Sequence, residues 1–148
     1  MSTSDLSPVL GLLSETQTLT LSTLDRDGKP RATPLFFAYD HQVSLFFLSD
    51  HDSQHCRNLE HEPSAAAAVY PSVSDWRELR GLQIKGLAFP LADPEREPAL
   101  ALYAARFPFI DSLADVVARS RIYRLRPMWV RLIDNRRAFG YKREWDLA

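Results

Sequence analysis

Residues 31–70 read RATPLFFAYDHQVSLFFLSDHDSQHCRNLEHEPSAAAAVY, and this stretch decides the fold. The runs at 31–39 and 43–48 are aromatic and aliphatic and flank Asp40, His41 and Gln42, which reads as two strands around a tight turn. Pro30 and Pro34 supply no ladder donor, so the first strand belongs at a sheet edge that is locally open near Pro34. The segment Ser49 to Ser53 then leads into a short helix over 52–61, capped by Asp52 or Ser53 and stopped by Pro63. Residues 65–70 form a strand of low bulk, whose alanines suit close packing against a cofactor, a helix or a second subunit. This order gathers an open strand edge, several hydroxyls and a helix start around one bound anion.

Outward from that stretch, residues 18–24 alternate threonine or serine with leucine for most of their length, as a strand does. Asp25 to Gly28 make the turn that follows, with Gly28 available for a positive φ. A short helix is expected over 6–13, with Ser7 as cap and Pro8 in the first turn. Residues 79–91 read as a long strand with Leu82 and Ile84 on one face and Gln83 and Lys85 on the other. The clearest helix covers 93–107, opened by Asp93 and Pro94 and with Glu95 and Glu97 near its positive end. Residues 120–133 and 137–144 close the sheet. About seven strands with two or three helices, joined by short turns, argue for a mainly β, antiparallel sheet curled into a barrel. No repeat or linker divides residues 1–148, which read as one domain.

With 148 residues, 45% hydrophobic and 25% charged, the chain has the composition of an ordinary globular domain. No apolar run approaches the ~20 residues that cross a membrane. The opening MSTSDLSP lacks a basic start and an apolar core, so no export is expected. Cys56 is the sole cysteine, which suits a reducing cytoplasm. Charge is uneven: residues 1–74 carry 4 basic and 9 acidic side chains, residues 75–148 carry 14 and 10. The bases at Arg119, Arg121, Arg124 and Arg126 alternate with Ile122, Tyr123 and Leu125, as on a half-buried strand, so nucleic acid is not the expected partner.

An anion beside Ser49, His51, Asp52, Ser53 and His55 can accept from helix-start amides and hydroxyls, with Arg31 or the C-terminal bases supplying positive charge. Capping alone also accounts for this segment. The four histidines fall within residues 41–61 without a metal-ligand spacing, and no metal site is expected. No GxSxG elbow, P-loop or GxGxxG is present, and Cys56 reads as a small core residue. Trp76, Trp129 and Trp145 are available for a ring pocket or a subunit contact. No catalytic residue emerges. A bound cofactor would carry the chemistry itself.

The succession Gly28 to Pro34, residues 43–49, Ser53-Gln54-His55 with Asn58-Leu59, and Glu62-Pro63 before a small-residue strand resembles the split β-barrel of pyridoxamine 5'-phosphate oxidase-like proteins. Gly81 to Gly86, Arg106-Phe107-Pro108, and Asp134-Asn135 through Trp145 resemble the YhbP-like branch. The resemblance implies an antiparallel split barrel that binds flavin mononucleotide (FMN) in a groove between the subunits of a homodimer. It places Arg31, Ala32, Thr33 and Pro34 beside the ring, and Ser49, Ser53 and His55 near the phosphate, with Asn58 behind them. Gln83 and the Trp76 region face the ring from the neighbouring chain, and Trp129 and Lys142 lie at the rim. The strand leaving the hairpin carries only Arg31 and the chain ends WDLA, departures that point away from vitamin B6 oxidation.

The expected function is an FMN-dependent oxidoreductase acting on a small molecule. A non-catalytic flavin- or haem-binding protein is the alternative, followed by a dimeric scaffold with a vestigial pocket.

Overall fold

A computed structural model describes residues 5–148. The chain runs α1 (Ser7–Glu15), β1 (Thr18–Leu24), β2 (Pro30–Phe36), β3 (Ala38–Tyr39), β4 (Leu45–Asp50), α2 (Gln54–His61) and β5 (Ser64–Val69). It continues through β6 (Arg80–Pro90), α3 (Arg96–Arg106), α4 (Ala114–Arg119), β7 (Ser120–Asp134) and β8 (Lys142–Asp146). All strand pairs are antiparallel, in the order β2-β1-β5-β6-β7-β4-β3, and β8 lies beside the far half of β7. β2 and β3 are one run bent at Phe37, whose N–H donates to Gln17 O at 3.1 Å. The two ends of the strand order thereby approach each other, and the sheet curls into a split barrel.

Alternation fills the interior. Leu19 and Leu21 of β1, Ala65, Ala67 and Val69 of β5, Leu82 and Ile84 of β6, and Val130 and Leu132 of β7 all point inward. α1 and α2 plug the barrel with Leu12, Leu13, Cys56 and Leu59. Each buried leucine, isoleucine or valine among them contributes roughly 1.5–3 kcal/mol, so this interior is the main source of stability. A smaller core packs Ala99, Tyr103 and Phe107 onto Ala38, Phe46 and Ile122. Arg106 joins the two: it donates to Phe37 O and Leu13 O at 3.0 Å each and to Thr16 O, satisfying carbonyls at the end of α1.

β2 pairs only with β1, so the edge expected near Pro34 is open. Gly28 takes φ 83 in its turn, and Ser53 caps α2 by accepting from Cys56 N. Several boundaries differ. The helix expected from 93 begins at Arg96, with Pro94 in the preceding turn. The last strand starts at Lys142, because Asn135 Oδ1 accepts from Gly140 N and holds 135–140 as a turn. The six residues of α4 are too few to show a helical period. Trp145, expected at a pocket rim or a partner chain, is instead 3% exposed and donates to Asp5 O at 3.1 Å.

Tyr123 stacks on Phe47 at 5.2 Å with ring planes 3° apart, and its buried hydroxyl lies near the Cys56 thiol and the Arg121 guanidinium without a well-formed hydrogen bond to any described residue. Burial holds the phenol's pKa far above its ordinary value. Removing an unpaired buried polar atom recovers its desolvation cost. Tyr123→Phe is therefore expected to raise stability by about 1 kcal/mol, read as a higher urea midpoint with unchanged slope. A fall in the midpoint would show that the hydroxyl has a partner.

Candidate functional site

Strand register builds one continuous outer face. Directly opposed residues in an antiparallel sheet share a side, so the pairings can be followed across five strands. One row runs Pro34, Thr20, Ala68, Gln83, Arg131. The next runs Ala32, Ser22, Ala66, Lys85, Trp129. In these two rows β2, β1 and β5 carry only small side chains and long ones begin at β6, while Leu24 and Phe36 bound the floor beyond the rows. Two adjoining hollows of ≈ 570 and ≈ 400 Å³ lie on it and share Ser22, Ala66, Lys85 and Trp129. Trp129 is pinned between cations, with Lys85 Nζ 4.5 Å and Arg131 Cζ 5.1 Å from its ring centre. Arg131 is in turn paired to Glu144.

The sequence-expected residues fall into separate groups. Ala32, Pro34, Gln83 and Trp129 share this outer face. Arg31 and Thr33 lie opposite Thr23 and Leu21 and so point to the other side of β2. Arg31 is clamped to Asp25 by bonds of 2.8 and 3.0 Å, which hold the Asp25 carboxyl below its usual pKa. Asn58 is buried and donates to Thr23 Oγ1 at 3.1 Å and to Asp25 Oδ1 at 2.8 Å, tying α2 to the β1–β2 turn.

Ser49, Ser53 and His55 do converge. His55 Nε2 lies 2.7 Å from Ser49 Oγ and 3.3 Å from Ser53 Oγ, so the polar groups of this corner face one another. Burial pushes the His55 pKa down, which leaves the ring neutral at neutral pH and supplies no formal charge. Asp50 and Asp52 flank His51 at 3.7 and 3.4 Å. An anion entering here must separate the serines from His55 and face two carboxylates.

Trp76 stands apart from both groups, whereas Lys142 lies on the outer face at its far edge, one pair beyond Arg131 and Glu144. Trp76 is 61% exposed and meets Phe139, 82% exposed, edge to face at 5.7 Å. Lys142 opens β8 opposite Ile133. Ser22, Ala66, Ala68, Lys85 and Met128 line the hollows and are not among the expected residues. The alternation that turns Ser22 and Lys85 outward is legible in the sequence, but the register that places these residues side by side is not.

A sequence model of the pyridoxamine 5'-phosphate oxidase family matches residues 9–134. The chain belongs to that family. Within it the chain groups with UPF0306 proteins: it is 27% identical over 120 residues to YhbP of Salmonella paratyphi A, spanning 80% of this chain and 78% of that one. Among solved structures, a haem-binding protein from Mycobacterium smegmatis superposes with TM-score 0.84 at 22% identity, covering 99% of this chain and 59% of its own length. The chain thus spans little more than half of that neighbour. The haem storage protein HutZ of Vibrio cholerae superposes with TM-score 0.71 at 22% identity, over 84% of this chain and 91% of its own. These likenesses establish the split-barrel fold, one that includes both enzymes and binding proteins. No helix among the described residues is long and apolar enough to cross a membrane.

Proposed function

We propose that this protein binds a planar prosthetic group on the outer face of β2, β1, β5, β6 and β7, between two copies of the chain, and holds it without catalysing a reaction. The observation that carries this reading is the flat floor of Ala32, Ser22, Ala66, Thr20 and Ala68, walled at one end by Trp129. A flat aromatic ring packs on such a floor without displacing side chains, and a second copy closes the open side. The titratable groups on these rows are Lys85 and Arg131, both lying over Trp129, and, where β8 extends the rows, Glu144 and Asp146. Glu144 is taken up by Arg131, and no histidine or carboxylate lines the hollows themselves, which favours binding over proton chemistry.

Two ligands fit the description. FMN is the expectation from family membership, and haem from the two solved neighbours. No histidine lines the hollows, whereas Met128 does, so haem here would take the Met128 thioether or a side chain of the second copy. FMN needs no axial ligand, but its phosphate finds little positive charge at the Ser49, Ser53, His55 corner. A flavin-dependent oxidoreductase acting on a small molecule is the second reading, favoured by the family match.

The test is titration of purified protein with FMN and, separately, with haemin. Saturable quenching of flavin fluorescence, or a new Soret band, at one ligand per protomer is expected. A bound flavin that remains oxidised under excess NADH and NADPH supports the binding role, and rapid bleaching supports the second reading. A protein indifferent to both ligands overturns each.

A further inference from the structure

The opposite edge of β7 holds a cavity that the planar-group reading does not use. β4 pairs with that edge over Ser120 to Leu125 and β8 pairs with it over Trp129 to Ile133. Between them, at Arg126 and Pro127, β7 has no strand beside it on that edge. A proline suits this place, since it has no N–H to leave unpaired. The resulting notch encloses ≈ 350 Å³.

Its lining is cationic. Arg124, Arg126, His41 and Gln42 face it, and no carboxylate does. Arg124 is held in place: its Nε donates to the buried Ser44 hydroxyl at 3.0 Å, and its Nη1 reaches Glu95 at 3.4 Å on the side away from the notch lining. Ser44 is itself fixed, because Asp40 Oδ1 accepts from the N–H groups of Ser44 and Gln42 at 3.0 Å each. Val43 adopts φ 56, a conformation that β-branched residues rarely take. That turn buries the Val43 side chain while His41 and Gln42 stay exposed beside the notch. Arg126 is exposed and makes no hydrogen bond or ion pair among the described residues. The cavity between α1 and the end of β7 differs, since Glu15 and Asp134, which pair with its Arg80 and Arg136, themselves line it, whereas Glu95 does not line the notch. Apolar walls complete the notch: Leu6, Pro127 and Leu147.

We propose that this notch is a second ligand site, which takes a small organic anion. Its oxyanion head, a carboxylate or a phosphate ester, lies between Arg124 and Arg126, and its compact apolar body rests on Leu6, Pro127 and Leu147. Arg guanidinium groups bind both heads through paired N–H donors. The site stands independently of the planar-group reading.

Isotope-labelled full-length protein is titrated with phenyl phosphate, benzoate and, as neutral control, benzyl alcohol, and backbone amides are followed by NMR. At least one anion is expected to shift Gln42, Ser44 and Arg126 saturably with a Kd of about 1 mM or tighter, and benzyl alcohol is not. Arg126→Gln is expected to weaken that binding about tenfold or more, and Gln42→Glu, which brings a carboxylate to the rim, to weaken it as well. Both positions are exposed, and the amide spectrum reports that the variants remain folded. The stronger anion identifies the head group. Absence of saturable shifts with either anion, equal binding of benzyl alcohol, or binding unchanged by Arg126→Gln overturns the proposal.

Discussion

Gly86→Val is expected to cost about 3 kcal/mol or more, a large share of the roughly 5–15 kcal/mol that holds a domain folded. Gly86 follows the register shift between Lys85 and Gly86 and stands opposite Pro127. A Cβ there would lie 2.1 Å from Arg126 O, 2.9 Å from Arg126 C and 3.1 Å from Pro127 Cα. All of these are backbone atoms, so no rotamer change relieves the overlap and the strands themselves must part. β6 and β7, of 11 and 15 residues, are the longest strands and neighbours at the centre of the sheet, so the damage reaches both cores. Urea unfolding followed by tryptophan fluorescence measures the loss. Gly11→Ala is the control: its Cβ meets nothing within 4 Å inside α1, and removing a helical glycine is expected to gain about 1 kcal/mol. A Gly86→Val midpoint equal to the native one would mean that the bulge relaxes freely.

The same position shows where reading the sequence stops. Glycine inside a strand suggests a bulge or a close backbone approach, but not which neighbour approaches. Alternation in β1 and β6 separates Leu21 and Ile84 from Ser22 and Lys85, because period two needs no partner to be seen, but the alanine run of β5 does not show that Ala67 faces in and Ala66 out. Joining Ser22 to Ala66 and Lys85 needs the register, which is fixed by how the whole sheet packs. The candidate site is therefore legible in part. Gln83 and Trp129 come from a family resemblance, and the small residues between them and β2 do not. At Ser49, Ser53 and His55 the residue types suggest an anion cradle. Only the folded chain reveals that the hydroxyls turn to the imidazole and that Arg31 is already spent on Asp25. Trp145 is offered by the sequence for a ring pocket or a subunit contact, and only the folded chain shows the carbonyl of Asp5 beside its indole N–H.

Ala66→Trp is expected to weaken binding of the planar group at least about a hundredfold, equivalent to roughly 2.7 kcal/mol, while stability changes by less than about 1 kcal/mol. Ala66 lies between Ser22 and Lys85 in its row and forms the floor of both hollows. An indole there occupies the space that a flavin or porphyrin ring would fill. The side chain points away from the barrel interior, where the neighbouring Ala65 and Ala67 are the buried ones, so the core is untouched. Tryptophan also has good strand propensity, which removes a backbone objection. Flavin fluorescence or Soret absorbance gives the affinity, and a thermal melt of the same sample gives the stability. Sedimentation adds a third reading: if a second copy closes the same face, the introduced indole obstructs it too, and the dimer weakens together with the cofactor. Full cofactor affinity in a folded Ala66→Trp protein would remove the outer face as the binding site. Lost affinity with an unperturbed dimer would instead place the ring within one protomer and separate binding from assembly.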